Sequence, residues 1–187
     1  MIQRDAIRWH AFAHVDKYDA GLVAHVKDRL GLDREPFGDE LAQFGAPYEV
    51  VEADGNLLTT AGLARITSLI IAGGGQAWDN THSRIGVGDS NTAATIADTD
   101  LGAAAGSSHR YFTVSDATYP QQSNGVITEK ATFTTGNGNF HWQEWCIDNG
   151  TASGTTVTAA MMNHKITDLG TKTSAASWAF TVTITLS

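Results

Sequence analysis

The stretch Trp178-Ala179-Phe180-Thr181-Val182-Thr183-Ile184-Thr185-Leu186-Ser187 decides the fold. Large apolar residues occupy every second position, and small or polar residues fill the gaps. A period of two is the signature of a strand with one apolar and one polar face. Burying five such side chains is worth roughly 1.5–3 kcal/mol each before conformational entropy is subtracted. A strand this regular requires a second layer to pack on, and a one-residue slip would turn its whole apolar set to water.

Upstream, shorter runs of the same kind predict strands at residues 83–87, 110–115, 126–135, 139–147 and 157–166. Turn clusters separate them: Asp89-Ser90-Asn91, Gln122-Ser123-Asn124-Gly125, Gly136-Asn137-Gly138-Asn139 and Asn149-Gly150-Thr151. Strands at this spacing predict an antiparallel sandwich or barrel, and the expected fold is a mainly β, jelly-roll-like β-sandwich. No strand–helix alternation points to a parallel sheet, and no internal repeat is visible.

Composition breaks near residue 55. The first 54 residues hold no serine or threonine but 17 of the 32 charged side chains. The remainder holds all 23 threonines and 15 of the 19 glycines. The expected organisation is a charged, α-helical N-terminal arm over 1–54 and a β-sandwich domain over 55–187. In the arm, Val15, Tyr18, Leu22, Val26 and Leu30 recur at spacings of three and four, predicting an amphipathic helix over 15–30 with Gly31 as its C-cap. That stripe is the candidate interface; its alternative is a helix packed back on its own domain. Residues 8–14 are ambiguous and allow a strand. A short helix is predicted over 39–44, and a strand over 48–52 that ends at the Asp54-Gly55 turn. A helix over 60–72 is capped by Thr59 or Thr60, carries Leu63, Ile66, Leu69 and Ile70 on one face, and stops at Gly73-Gly74-Gly75.

The net charge is −8, with 12 scattered basic residues. Phosphate neutralisation needs clustered Lys and Arg, so a nucleic-acid partner is not expected. The acidic balance suits solubility or docking on a basic surface. One cysteine, Cys146, excludes an internal disulfide and reads as a small buried hydrophobe. No secretory signal or membrane-spanning run is visible, so the Asn149-Gly150-Thr151 sequon carries little weight.

Candidate chemistry is sparse. His10 and His14 would share a helix face but lack a third ligand, while His82, His109, His141 and His164 are dispersed. Asp89, Asn91 and Asp100 stand at positions 1, 3 and 12 of a calcium-loop pattern, yet Ala93 and Ala94 replace the oxygen donor and the glycine it needs. Gly86-Val87-Gly88 lacks the third glycine of a dinucleotide loop. Glu129 and Glu144, expected on neighbouring strands, are at a separation that would suit the paired carboxylates of a glycosidase, and a glutamate tying down loop backbone is the stronger reading of Glu144. Trp142, Trp145 and Trp178 suggest either a sugar-binding surface or core packing. By alternation, Phe140, Trp142, Glu144 and Cys146 share one face, and His141, Gln143, Trp145 and Ile147 the other. A strand buried on both sides is therefore expected. No catalytic residue, cofactor or metal site is assigned.

Several runs together resemble structural proteins of tailed bacteriophages. They are Glu52-x-x-Gly55-Asn56-Leu57-Leu58-Thr59-x-x-Gly62, Ile85-Gly86-Val87-Gly88-Asp89-Ser90-x-Thr92-Ala93-Ala94, Asp116-Ala117-Thr118-Tyr119-Pro120, and Phe140-His141-Trp142-Gln143-Glu144-Trp145 with its Asp148-Asn149-Gly150 turn. Asn163-His164-Lys165 and Leu169-Gly170-Thr171-Lys172 complete the order. The resemblance covers about residues 48–187; His164 replaces a common Arg and Gln143 a common Asn. It implies a non-enzymatic virion component made in the bacterial cytoplasm. The expected role is a capsid decoration or minor capsid protein, a homo-oligomer such as a trimer, bound to the major capsid protein. A minor tail or fibre-attachment protein is the alternative, and a carbohydrate-binding domain a lesser one. On this reading, deleting residues 1–54 leaves a folded β domain that no longer joins particles.

Overall fold

A computed structural model describes residues 8–157 and 159–187. In chain order they form β1 (Trp9–Asp19), α1 (Ala20–Leu30), α2 (Gly38–Phe44), β2 (Glu49–Asp54), β3 (Leu57–Leu58) and α3 (Thr60–Ile70). The strands β4 (Arg84–Gly88), β5 (Arg110–Val114), β6 (Gln121–Ser123), β7 (Val126–Phe133), β8 (His141–Asp148), β9 (Met161–Thr171) and β10 (Ala176–Leu186) follow. They build two five-stranded sheets, ordered β2-β1-β10-β7-β6 and β3-β9-β8-β4-β5. Every strand pairing is antiparallel. The molecule is mainly β and sandwich-like, and among the described residues no helix is long and apolar enough to cross a membrane.

The alternation in β10 is realised as far as Ile184, while Leu186, expected as the fifth buried side chain, is exposed and Ala179 on the opposite face is buried. Trp178, Phe180, Val182 and Ile184 are buried in the inter-sheet core, while Thr181, Thr183 and Thr185 face out half-covered. The centre of the core is aromatic. Trp142 meets Phe133 and Trp178 edge-on, with ring centroids 4.6 and 4.7 Å apart, and Trp145 meets Phe180 at 5.5 Å. Such edge-to-face contacts add to the area buried by large rings.

The N-terminal segment differs from its expected form. Residues 15–19 are strand, and α1 begins only at Ala20, where Asp19 caps it by accepting from the Leu22 amide at 3.0 Å. Gly31, at φ 62°, ends it as predicted. Ala11, Ala13 and Val15 alternate into the inter-sheet core and continue the period of two. Val15 and Tyr18 therefore belong to β1, and their three-residue spacing is not a helical one. Tyr18 points to the other face of the sheet, where Val23 and Val26 of α1, Leu41 of α2 and Ala179 form a second apolar cluster with Leu22 beside it. Of the five stripe residues only Leu30 is exposed. The stripe is thus largely internal, the packed-back alternative.

Nor does the chain divide at residue 54. β1 pairs with β10 along its whole length, from Trp9↔Leu186 to Asp19↔Ala176, and β2 pairs with β1. Residues 9–54 supply two of the five strands of one sheet.

α3 lies on β9 because Gly62 has no side chain: a Cβ there would stand 2.2 Å from the Met162 carbonyl oxygen. Thr59 caps the helix by accepting from the Gly62 amide at 2.9 Å.

Two outcomes follow from this packing. Deleting residues 1–54 strips β1 from β10 and exposes the core, so the truncated chain should lack a cooperative urea transition and near-ultraviolet circular dichroism; a folded truncation would refute the shared sheet. Gly62→Ala should cost about 1–3 kcal/mol through overpacking, read as a lower urea midpoint at unchanged slope.

Candidate functional site

The charged residues singled out in the sequence divide into those that fix loops and one that lines a cavity. β8 carries the first group. A register shift between Trp142 and Glu144 interrupts its alternation. Trp142 and, past the irregularity, Trp145 and Ile147 all enter the inter-sheet core. Glu144 and Cys146 turn to the outer face. The alternation assigned to this strand therefore breaks at Gln143. Its outer face is covered as well, with Cys146 packed against Leu101, Phe112 and Met161. The cover is the chain's own loops. With Trp142, Trp145 and Trp178 at most 1% exposed, none of the three presents a ring to a sugar.

Glu144 is fully buried and accepts from the Gly102 amide at 2.8 Å, the Ala103 amide at 2.7 Å and His164 Nε2 at 2.9 Å. It ties down loop backbone, as the sequence suggested. The room comes from Gly88, where a Cβ would lie 2.2 Å from Glu144 Oε1. Gly86 likewise makes way for the Phe112 ring. These two glycines answer to side chains crossing the sheet, not to a phosphate.

His164 reaches Asp98 through Nδ1 at 2.6 Å as well as Glu144. Burial alone would lower its pKa, but the two carboxylates outweigh burial and hold it above the usual value. Each ring nitrogen already has a carboxylate partner, so neither is left free to act as a base. Burial alone would raise the Asp98 carboxyl; the Thr95 hydrogen bonds and His164 bring it below its ordinary value. Sequence reasoning left His164 as a single histidine, because nothing in residue spacing joins 98, 144 and 164.

The other candidates have structural partners too. Asp89 meets His109 at 2.7 Å and Asp100 meets Arg110 at 2.8 Å, so neither is left for a calcium ion. His10 and His14 lie on a strand, beside Asp54 at 2.7 Å and Asp16 at 2.8 Å. Among the described residues no cluster of His, Cys, Asp and Glu has metal-site form. Asn149 of the sequon is buried, donating to the Gln76 carbonyl and accepting from the Ala160 amide. Arg84 pairs bidentately with buried Asp148 and also donates to the Ala152 carbonyl at 2.7 Å, pinning the loop after β8.

Glu129 is the exception. β7 and β8 follow one another in the chain but enter different sheets, so Glu129 and Glu144 do not form the side-by-side pair considered from sequence. Glu129 sits opposite Val182 on the core side of its sheet, where a Cβ-alternating strand would carry an apolar residue. Ser115 Oγ donates to it. Burial pushes its pKa up to about 7, against the pull of the Ser115 and Ser83 hydroxyls and with a further push from Asp116. It stands at one end of the sandwich, in the lining of a cavity of about 380 Å³. The walls are apolar: Trp9, Ile127 and Ile184 from the first sheet, Ile66 and Ile70 from α3, and Trp78 from the α3–β4 connection. Ser83 adds a hydroxyl beside the Glu129 carboxyl, and the buried Trp78 indole nitrogen has no acceptor.

Comparison of the chain with protein-family models, with curated proteins and with solved structures returned no match.

Glu129 sets a pH dependence with a definite sign. A carboxyl raised from 4.5 to about 7 binds its proton more tightly in the folded chain. Its contribution to stability is full below pH 4.5 and is lost as pH rises to 7, about 3 kcal/mol in all. Glu129→Gln cannot titrate, so its stability relative to the unaltered chain should climb between pH 4.5 and 7 and level off above. Urea melts of both proteins across pH 4–8 measure this, and a flat difference would show that the carboxyl is not buried.

Proposed function

We propose that this protein is a non-enzymatic structural component of a tailed-phage particle, a capsid decoration or minor capsid protein that binds the major capsid protein lattice. The observation that carries the non-catalytic part is the Asp98–His164–Glu144 cluster. The side chains that most resemble a catalytic constellation form a closed hydrogen-bonded tie between β8, β9 and the loop around Leu101. Stiff loops on a two-sheet, jelly-roll-like scaffold suit a molecule that must present one shape to many copies of a partner. Weak contacts repeated over a symmetric lattice then suffice for attachment.

The virion assignment rests on the sequence resemblance, whose motifs have physical roles here. Gly88 accommodates Glu144, Gly62 seats α3, and the Asp148-Asn149-Gly150 turn is gripped by Arg84. The attachment surface we assign differs from the stripe read in the sequence. Phe44, Tyr48 and Val50 are exposed in and after α2 and on the edge strand β2, where the unmatched segment meets the part that the resemblance covers. An edge strand offers unpaired backbone groups to a partner strand, and exposed aromatics supply anchoring area.

Mass spectrometry of purified virions of the encoding phage should detect the chain, and antibody labelling should place it on the shell. Its absence from virions would refute the proposal, and label on the tail would move it to the minor-tail class. The triple variant Phe44→Ser, Tyr48→Ser, Val50→Asp should melt within about 1–2 kcal/mol of the unaltered chain, since these are surface positions. It should bind particles lacking the protein at least about tenfold more weakly.

A further inference from the structure

The two ends of the sandwich are closed differently. At one end the core-facing Lys17 lies over the Trp178 ring, 4.2 Å from its centroid, and pairs with Glu49 at 2.8 Å. The charge there is matched within the chain. At the other end Glu129 faces an apolar space, and among the described residues no lysine, arginine or histidine forms an ion pair with it.

A buried carboxyl is costly without a compensating charge, and an apolar residue would serve that core position better for stability alone. Three features converge on it. The cavity, about 380 Å³, lies in the range that small ligands or side chains occupy. Its walls are aliphatic and indole, which suit a methylene chain and favour a cation near the ring faces. Its polar groups are few: the Glu129 carboxyl and, beside it, the Ser83 hydroxyl, which is 1% exposed. A primary ammonium can donate to a carboxylate and a serine hydroxyl together, because it carries three hydrogens. A carboxylate ligand would meet Glu129 with like charge.

We propose that this cavity is a binding site for an apolar chain ending in a primary ammonium, and that in the particle the chain is a lysine side chain of a neighbouring virion protein. The identity of the source rests on the virion reading above; the ligand chemistry does not. The net charge of −8 favours a basic partner surface in the same sense. Ile70, on α3 and 76% exposed, stands at the mouth, so the chain would enter past the helix end.

The probes are hexylamine, hexan-1-ol and hexanoate, titrated at pH 7.5 into the full-length protein while the Trp9 and Trp78 indole N–H resonances are followed. Hexylamine should bind at least about tenfold more tightly than either of the others, and Glu129→Gln should abolish that preference. Ile70→Lys, a surface change, should weaken hexylamine by a similar factor, whether its ammonium repels the probe or its own stem fills the site. No binding by any probe, equal binding by all three, or an amine preference that survives Glu129→Gln would overturn the site. In the particle assay, Glu129→Gln should lower attachment of a chain that otherwise joins particles. Unchanged attachment would remove the lysine as source. If the unaltered chain never joins particles, the virion reading falls while the hexylamine titration still decides the site.

Discussion

The structure depends on the pairing of the two ends of the chain. β1 and β10, each 11 residues long, run antiparallel in unbroken register from Trp9↔Leu186 to Asp19↔Ala176. They form the inner part of one sheet, with β2 outside β1 and β7 outside β10. The apolar set of β10 faces the core only because β1 fixes its register, and a slip of one residue would put Thr181, Thr183 and Thr185 inside. Closing a loop of nearly the whole chain costs entropy early and returns contacts late. The sheet can therefore be complete only once the last strand is available.

The second sheet is organised around charge. Arg84 and Asp148 are both buried, and so are Glu144 and His164. Each pair is anchored further by backbone groups of loops that cross the outer face. A buried ion pair adds little net stability compared with apolar residues of the same size. What it does is fix geometry, because moving the loop would strand a charge without a partner. The glycines of β4 belong to the same device: the outer side of that strand is bare so that Phe112 and Glu144 can lie across it. Long loops that an apolar cover would leave loosely specified are held in one place.

How far this was legible in the sequence follows from the range of the signals. β10 was legible because its alternation is perfect and local. α3 and its threonine cap were legible for the same reason. β1 was legible only in part: residues 8–14 allowed a strand, but its core-facing residues include two small alanines, Ala11 and Ala13, and a lysine, so its period of two is faint. The stronger residues Val15, Tyr18 and Leu22 happen to fall at helical spacing across a strand–helix junction. Composition misled in the same region: a segment without serine or threonine looked like a separate arm, yet charge on a strand's outer face is compatible with full membership of a sheet. The irregularity in β8 left no mark, so both faces of that strand were misassigned past Gln143. At the site, Glu129 and Glu144 were visible as residues, while their separation into two sheets was a matter of topology. The Asp98–His164–Glu144 tie and the cavity were invisible for that reason, since both assemble groups from distant parts of the chain.

The placement of carboxylates gives the two-sheet scaffold a direction. Glu144 and Asp148 lie on the outer side of their sheet, where loops supply donors to meet them. Glu129 lies between the sheets, where donors are scarce, and it has a serine hydroxyl where Glu144 has His164 and Asp148 has Arg84. If rigidity were the only demand, an aliphatic side chain opposite Val182 would close that end as firmly as Lys17 and Trp178 close the other. A carboxyl kept at an apolar opening, with its proton held near pH 7, makes sense physically when something else can supply the missing charge. The closed end and the loop ties give the molecule its shape, and the open end leaves one carboxyl facing an apolar space.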